Sequence, residues 1–247
     1  MNETPEMPGP PDEPARPAEA PTGTFASRFV WILTSPKQIY ADIAHGAHWW
    51  EPWVWSSIFG MVVAWLSIPI QIQITRANPS GMPAEQLDKT LEAMEKFAFI
   101  GVVSTPVALL VAAGILTAIS YMLVSLLAEE SSFKKYFTLV MWANIPVVIG
   151  QLIGVIVARM KGIENIRSIH DASSNFGPAI LADPEKDKYL YPILTSLDVF
   201  YLWFYALLVL GLVAVFRMSM RNAVLVVIPV WLLQVLFAVI GARFSGG

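Results

Sequence analysis

An uncharged run of 22 residues, from Phe137 to Ala158, constrains the fold more than any other stretch of this chain. At a rise of 1.5 Å per residue, a helix of this length spans roughly 30 Å, the thickness of the hydrocarbon core of a bilayer. The composition agrees, because 55% of the 247 residues are hydrophobic and only 14% are charged. A soluble domain of this size would carry more surface charge. The run therefore predicts a membrane-spanning helix.

Four residues inside this run indicate more than a simple membrane anchor. Pro146 removes a backbone donor and clashes with the preceding turn, so a kink is expected there. Asn144 is then placed to bond a carbonyl freed by the kink, or a neighbouring helix. Gly150 and Gly154 form a Gly-x-x-x-Gly pattern, which lets another helix approach closely. We therefore expect this helix to be the packing centre of the protein.

The other long apolar runs predict an all-α fold, a polytopic integral membrane protein with a bundle of five transmembrane helices. The expected spans are residues 53–74, 97–127, 137–158, 198–216 and 222–241. The second run is longer than a bilayer requires. Glu85 and Lys89 lie i,i+4 before it, which favours a water-exposed helix that continues directly into the span. An odd number of spans places the two termini on opposite sides of the membrane.

The first 52 residues differ from the rest of the chain. Residues 1–23 are acidic and rich in proline, and we expect a disordered tail because they cannot bury enough apolar surface to fold. Residues 24–52 contain two short amphipathic helices, predicted to lie in the membrane interface. Four tryptophans suit the headgroup boundary, with an aromatic ligand pocket as the alternative: Trp49, Trp50, Trp53 and Trp55.

Candidate chemical groups within the spans are few. Asp198 follows Ser196 at a helix start, which favours helix capping, and a proton or cation site is the alternative. Gln151 and Gln234 either bond between helices or line a polar path. His45 and His48 are three residues apart without a third ligand nearby, which disfavours zinc.

Several classes of function are therefore not expected. The sequence has no His-Glu-x-x-His, no Gly-x-Ser-x-Gly and no phosphate-binding loop, so we predict no enzyme activity and no cofactor. The net charge of −3 gives no indication of a nucleic-acid partner. The absence of cysteine excludes disulfides. The acidic start of the chain does not resemble a cleavable signal peptide, so insertion is expected to use the internal spans.

Basic residues in two tight turns predict the orientation. Lys134 and Lys135 precede the third span, and Arg217 and Arg221 lie between the fourth and fifth. Short basic turns face the cytoplasm, which puts the N-terminus inside. A count of basic residues over all segments points weakly the other way, because the two long loops carry many lysines and arginines beside equally many acids.

The order of these elements resembles the Yip domain, named for membrane proteins that interact with Rab-type GTPases. The matching stretches are residues 34–40 (TSPKQIY), 132–136 (SFKKY) with Pro146 downstream, 197–203 (LDVFYLW) including Asp198 and Trp203, then Gly211 and residues 217–223. The resemblance covers residues 30–240. It implies five spans, a cytoplasmic N-terminus and no known catalytic residues, and for eukaryotic members a place in Golgi and ER vesicle traffic.

The chain departs from the eukaryotic branch at two places. Residues 50–53 (WEPW) stand where those members have an Asp-Leu-x-Gly-Pro type motif, and residues 141–144 (MWAN) where a Gly-Tyr pair is expected. The chain is more similar to bacterial members, which implies the cytoplasmic membrane, or the Golgi or ER membrane if the protein is eukaryotic.

We expect a scaffold or adaptor that organises partner proteins or local membrane shape. The alternative is a channel or transporter component, such as a companion subunit of an export system. The expected partners are the lipid bilayer and other membrane or peripheral proteins, and a homo-oligomer stays open.

Overall fold

The computed structural model describes residues 23–46, 48–79, 81–172, 174–183, 186–187 and 189–244. Apart from Gly23, the predicted disordered tail lies outside these ranges. Two short helices begin the described chain, α1 (Phe25–Thr34) and α2 (Pro36–Ala44). They form a hairpin that turns at Ser35. The hydroxyl of Thr24 caps α1 by accepting a hydrogen bond from the Ser27 N–H, and Pro36 suits the first position of α2, where no N–H is needed.

The remaining helices form the bundle. They are α3 (Trp50–Ala77), α4 (Ala84–Leu127), α5 (Phe133–Ala143), α6 (Ile145–Met160), the short α7 (Ile169–Ala172) and α8 (Leu190–Thr195), then α9 (Val199–Phe216) and α10 (Met220–Phe244). Helices α5 and α6 together make one span. Within the described residues, five segments are long and apolar enough to cross a membrane, which confirms the predicted all-α, five-span architecture. Helix α4 is continuous over 44 residues, so the polar helix that begins at Ala84 does run directly into the second span.

The bundle has two distinct ends. The hairpin end carries α1 and α2 together with the turns at 128–132 and 217–219, and there the ring of Trp49 lies 5.9 Å from that of Phe137. The far end carries the turn at 78–83 and the connection from 161 to 198. There the side-chain amide of Asn78 donates a hydrogen bond to the carbonyl of Arg167.

The third span is the packing centre, as predicted. The most apolar window of its helices is 56% buried, a larger share than in any other span. Trp142 and Leu139 of α5 are fully buried, and they belong to the same core as Phe204 and Leu208 of α9. This packing explains why a 22-residue apolar run also carries bulky aromatic residues.

The third span is interrupted at Asn144, between α5 and α6, next to Pro146. The interruption is confined to one turn, because the Asn144 N–H still donates to Val140 and the Val148 N–H donates to Asn144. The predicted role of the Asn144 side chain, bonding a freed carbonyl or a neighbouring helix, stays a prediction.

The two short helices are present, but their apolar faces contact protein. Ile32, Ile39 and Ile43 are buried in the main core, where α2 packs against α5 and α9. The hydroxyl of Tyr40 donates to the carbonyl of Leu207 at 2.8 Å, halfway along α9. Burial raises the pKa of the Tyr40 hydroxyl, so it stays a donor. The hairpin is therefore part of the bundle and does more than rest on lipid.

Candidate functional site

A buried cluster of charges joins the hairpin to the first span. The guanidinium of Arg28 in α1 donates from Nε to Asp42 Oδ2 in α2 at 2.7 Å, and from Nη1 to Glu51 Oε1 in α3 at 2.7 Å. The two acidic side chains are 6% and 5% exposed, and the arginine is 17% exposed. We call these three residues the charge clamp. Planar guanidinium suits this task because it bonds two carboxylates at once.

The clamp carries a net negative charge. Burial lowers the pKa of Arg28, but the hydrogen bonds and charges of Asp42 and Glu51 outweigh it, so the net pKa is raised and the arginine stays charged. Glu51 Oε2 is buried without a hydrogen-bond partner among the described residues. The exposed His48 lies 3.8 Å from Glu51 Oε1 and adds a second cation when it is protonated. The sequence analysis did not predict this cluster. Its only local signal in the sequence is an acidic residue, Glu51, between tryptophans at the start of a span.

The aromatic residues beside the clamp pack against one another where α1, α3 and α5 meet. The ring of Trp55 lies 4.9 Å from that of Phe25 and 4.5 Å from that of Phe29. Trp49 packs between Trp53 and Phe137. Stacking at these distances adds to burial in holding α1 against α3.

A cleft of about 690 Å³ opens at the far end of the bundle, between α3, α6 and α9. Its apolar lining comes from the middle of the spans, including Val63, Ile70 and Val147. The far-end connection completes the wall with Ala172, Ser174, Asn175 and Phe176. Gln151 lines this cleft, and its two predicted roles, a hydrogen bond between helices or the lining of a polar path, stay predictions.

Asp198 lies at the rim of the cleft as the N-cap of α9. Its Oδ1 accepts a hydrogen bond from the Phe200 N–H at 2.9 Å, and its Oδ2 accepts one from the Phe176 N–H at 2.8 Å. Both carboxylate oxygens are thus occupied by backbone donors, which fits capping and anchors the connection to α9. In the described part of the chain, no group of three His, Cys, Asp or Glu side chains is arranged to hold a metal ion.

Three other predicted residues, Gln234, Trp203 and Gly211, are not among those that line the cleft. Gln234 of α10 accepts a hydrogen bond from the Tyr205 hydroxyl of α9, so it bonds between helices. Trp203 is 37% exposed on α9. Gly211 lies against Leu139, whose side chain leaves no room for a Cβ at this position.

The two glycines of the third span have different neighbours. A Cβ on Gly150 would come within 2.5 Å of the Phe200 ring of α9, so this glycine does face another helix. A Cβ on Gly154 would find only Ser174 of the connection, at 3.8 Å. The prediction that both glycines face a helix is therefore wrong for Gly154, which lines the cleft.

An all-helical bundle with five apolar spans, a buried clamp at one end and a cleft at the other defines a polytopic integral membrane protein. The model of the Yip1 domain family matches residues 31–242, from α1 to α10. The chain therefore belongs to the Yip1 domain family, as its resemblance implied. The match begins three residues after Arg28, so the clamp joins a residue outside the family match to two within it. No curated protein and no solved structure matches the chain.

Proposed function

We propose that this protein is a non-enzymatic scaffold or adaptor of a bacterial cytoplasmic membrane, with its N-terminus inside. The packed interior is the observation that carries the proposal. Trp142, Phe204 and Leu208 fill the middle of the bundle, and α2 fills the space towards the hairpin end. A channel or transporter needs a polar path or ionisable groups at that depth, and the cleft reaches only as deep as Val63 and Val147.

The hairpin end supplies the surface for an adaptor. Residues 1–23 precede α1, which carries Arg28 of the charge clamp, so a partner held by this segment would be brought close to the bundle. The clamp ties α1, α2 and α3 together through Arg28, which makes the attachment rigid. A disordered acidic segment searches widely for partners and orders on binding. These features support recruitment at the hairpin end.

The second candidate is a channel or transporter component, and the far-end cleft favours it. Polar side chains of Gln71 and Gln151 line this cleft within the depth of the spans. A transporter would use it as one half of an access path that opens through the bundle on cycling. For such a path to open, α2 and the core helices would have to move apart during the transport cycle.

The test compares four proteins: the full chain, a chain lacking residues 1–23, a chain in which those residues are scrambled, and Asp198→Asn. Partners of each protein are identified by cross-linking in intact cells, and ion flux is measured after each protein has been purified and reconstituted in liposomes. We expect the deletion and the scrambled tail to lose partners while the bundle keeps its melting temperature. Robust flux that Asp198→Asn abolishes would overturn the scaffold and establish the alternative.

A further inference from the structure

We propose that the far-end cleft is a binding site for a phospholipid without net charge, of the phosphatidylethanolamine type, from the adjacent leaflet. The amine-bearing headgroup lies at the polar rim and an acyl chain extends towards the middle of the bundle. The site is independent of partner recruitment by the N-terminal segment.

The dimensions of the cleft suit one lipid chain. Its volume of about 690 Å³ falls within the range of small-molecule sites, roughly 300–1,000 Å³. Along α3 the lining runs from Thr75 near the far end to Val63, which is 12 residues deeper. At 1.5 Å per residue this depth is about 18 Å, slightly more than half of the roughly 30 Å core. The cleft therefore covers one leaflet.

The polarity of the lining follows that of a lipid in the leaflet. Val63 and Val147 lie at the deep end, whereas Thr75, Asn175 and Asp198 lie at the far-end rim. Ser67, one helical turn from Val63, is already occupied because its hydroxyl donates to the carbonyl of Val63 at 2.7 Å. Gln71 and Gln151 lie between the deep end and the rim. A fully polar solute would leave the deep part unfilled, and a pure hydrocarbon would leave the rim unpaired.

The charges and hydrogen-bonding groups select the headgroup. The residues that line the cleft include Asp198 and no lysine or arginine. The nearby Arg159 already donates a hydrogen bond to the carbonyl of Leu66 at 3.2 Å, so the lining itself favours a headgroup that carries an ammonium over one with a net negative charge. Gln71 and Gln151 are exposed residues of the lining and make no hydrogen bond to another described residue, so their amides are available to a ligand. The amide of Asn175 donates to Tyr191 at 2.7 Å and keeps its carbonyl as an acceptor. Amide carbonyls accept from an ammonium headgroup, while amide N–H groups donate to ester and phosphate oxygens.

The experiment uses the full chain purified in mild detergent, with phosphatidylethanolamine or phosphatidylglycerol carrying a photoreactive acyl chain as probes. We expect about one phosphatidylethanolamine per protein by native mass spectrometry. Cross-links should be concentrated in residues 63–75 and 147–155. Gln151→Leu should weaken retention about fivefold, the effect of one lost hydrogen bond. Gln71→Leu should weaken retention to a similar extent, and this second variant tests the proposal if Gln151→Leu folds poorly.

Two controls make the result decisive. Gln86→Leu alters an exposed glutamine of α4 outside the cleft and should leave retention unchanged. Gln151→Lys adds the missing counter-charge and should shift the preference towards phosphatidylglycerol. Equal retention of both lipids by the unmodified protein, cross-links spread evenly over the lipid-facing side of α4, or equal effects of Gln151→Leu and Gln86→Leu would each overturn the proposal. Removal of residues 1–23 should not alter lipid retention, so a failure of the scaffold proposal can be distinguished from a failure of the lipid-site proposal.

Discussion

Gly150 and Gly154 share one face of α6, yet only the first is held against another helix. The ring of Phe200 leaves no room for a side chain at Gly150, since a Cβ would come within 2.5 Å of it. The nearest atom to a Cβ on Gly154 is 3.8 Å away, an ordinary contact distance. We therefore expect Gly150→Leu to destabilise the protein by about 1–3 kcal/mol through overpacking.

Gly154→Ala is the matched control, and it should leave the melting temperature in detergent nearly unchanged. Equal melting temperatures for Gly150→Leu and the unmodified protein would show that α6 and α9 are not packed together as described. A large loss of stability in Gly154→Ala would instead show that the cleft is closed.

Asp198 provides a second prediction at the scale of the residue. Alanine removes the acceptors of both the Phe200 and the Phe176 N–H groups, so Asp198→Ala should lower the free energy of unfolding by about 1 kcal/mol for the cap alone. Asparagine keeps one side-chain oxygen, so Asp198→Asn should cost less. Chemical denaturation in detergent measures both. An asparagine variant that is less stable than the alanine variant would contradict a capping role.

At the scale of the element, the charge clamp decides how the hairpin is held. Arg28→Met removes the cation but leaves Asp42 and Glu51 buried, and breaking a buried ion pair in this way costs about 3 kcal/mol. We expect faster hydrogen exchange throughout α1 and α2 and early proteolysis at Ser35. The core of α5 and α9 should keep its protection.

The control for this prediction neutralises the acids as well. Arg28→Met combined with Asp42→Asn and Glu51→Gln leaves no unpaired charge, so part of the lost protection should return. Because the folded pKa of Arg28 is raised, its stabilisation is fully present below the unfolded pKa and is lost only as the pH rises through the folded value. The contribution of Arg28 to the clamp should therefore be unaffected by pH across the neutral range. Hydrogen exchange of a His48→Gln variant, which removes the imidazole beside Glu51, measures this contribution, and a hairpin that loosens at neutral pH in that variant would contradict the prediction.

At the scale of the whole molecule, five spans place the two termini on opposite sides of the membrane. The basic turns with Lys134, Lys135, Arg217 and Arg221 lie at the hairpin end, which we expect to be cytoplasmic. A reporter active only in the cytoplasm should therefore give signal when fused before residue 1 and none when fused after residue 247. Signal from the C-terminal fusion alone would reverse the orientation, and equal signal from both would contradict five spans.

The number and approximate extent of the spans followed from the sequence alone, because the length and apolarity of a run such as 137–158 are local properties. The cap at Asp198 was also predictable, since its partner Phe200 lies two residues away. The partners of Arg28 lie 14 and 23 residues away on separate helices, and only the folded chain brings them together. In the same way, the rotation of α6 against α9 decided that Gly150 meets Phe200 while Gly154 has only Ser174 near it, because side-chain contacts depend on which faces of the helices meet.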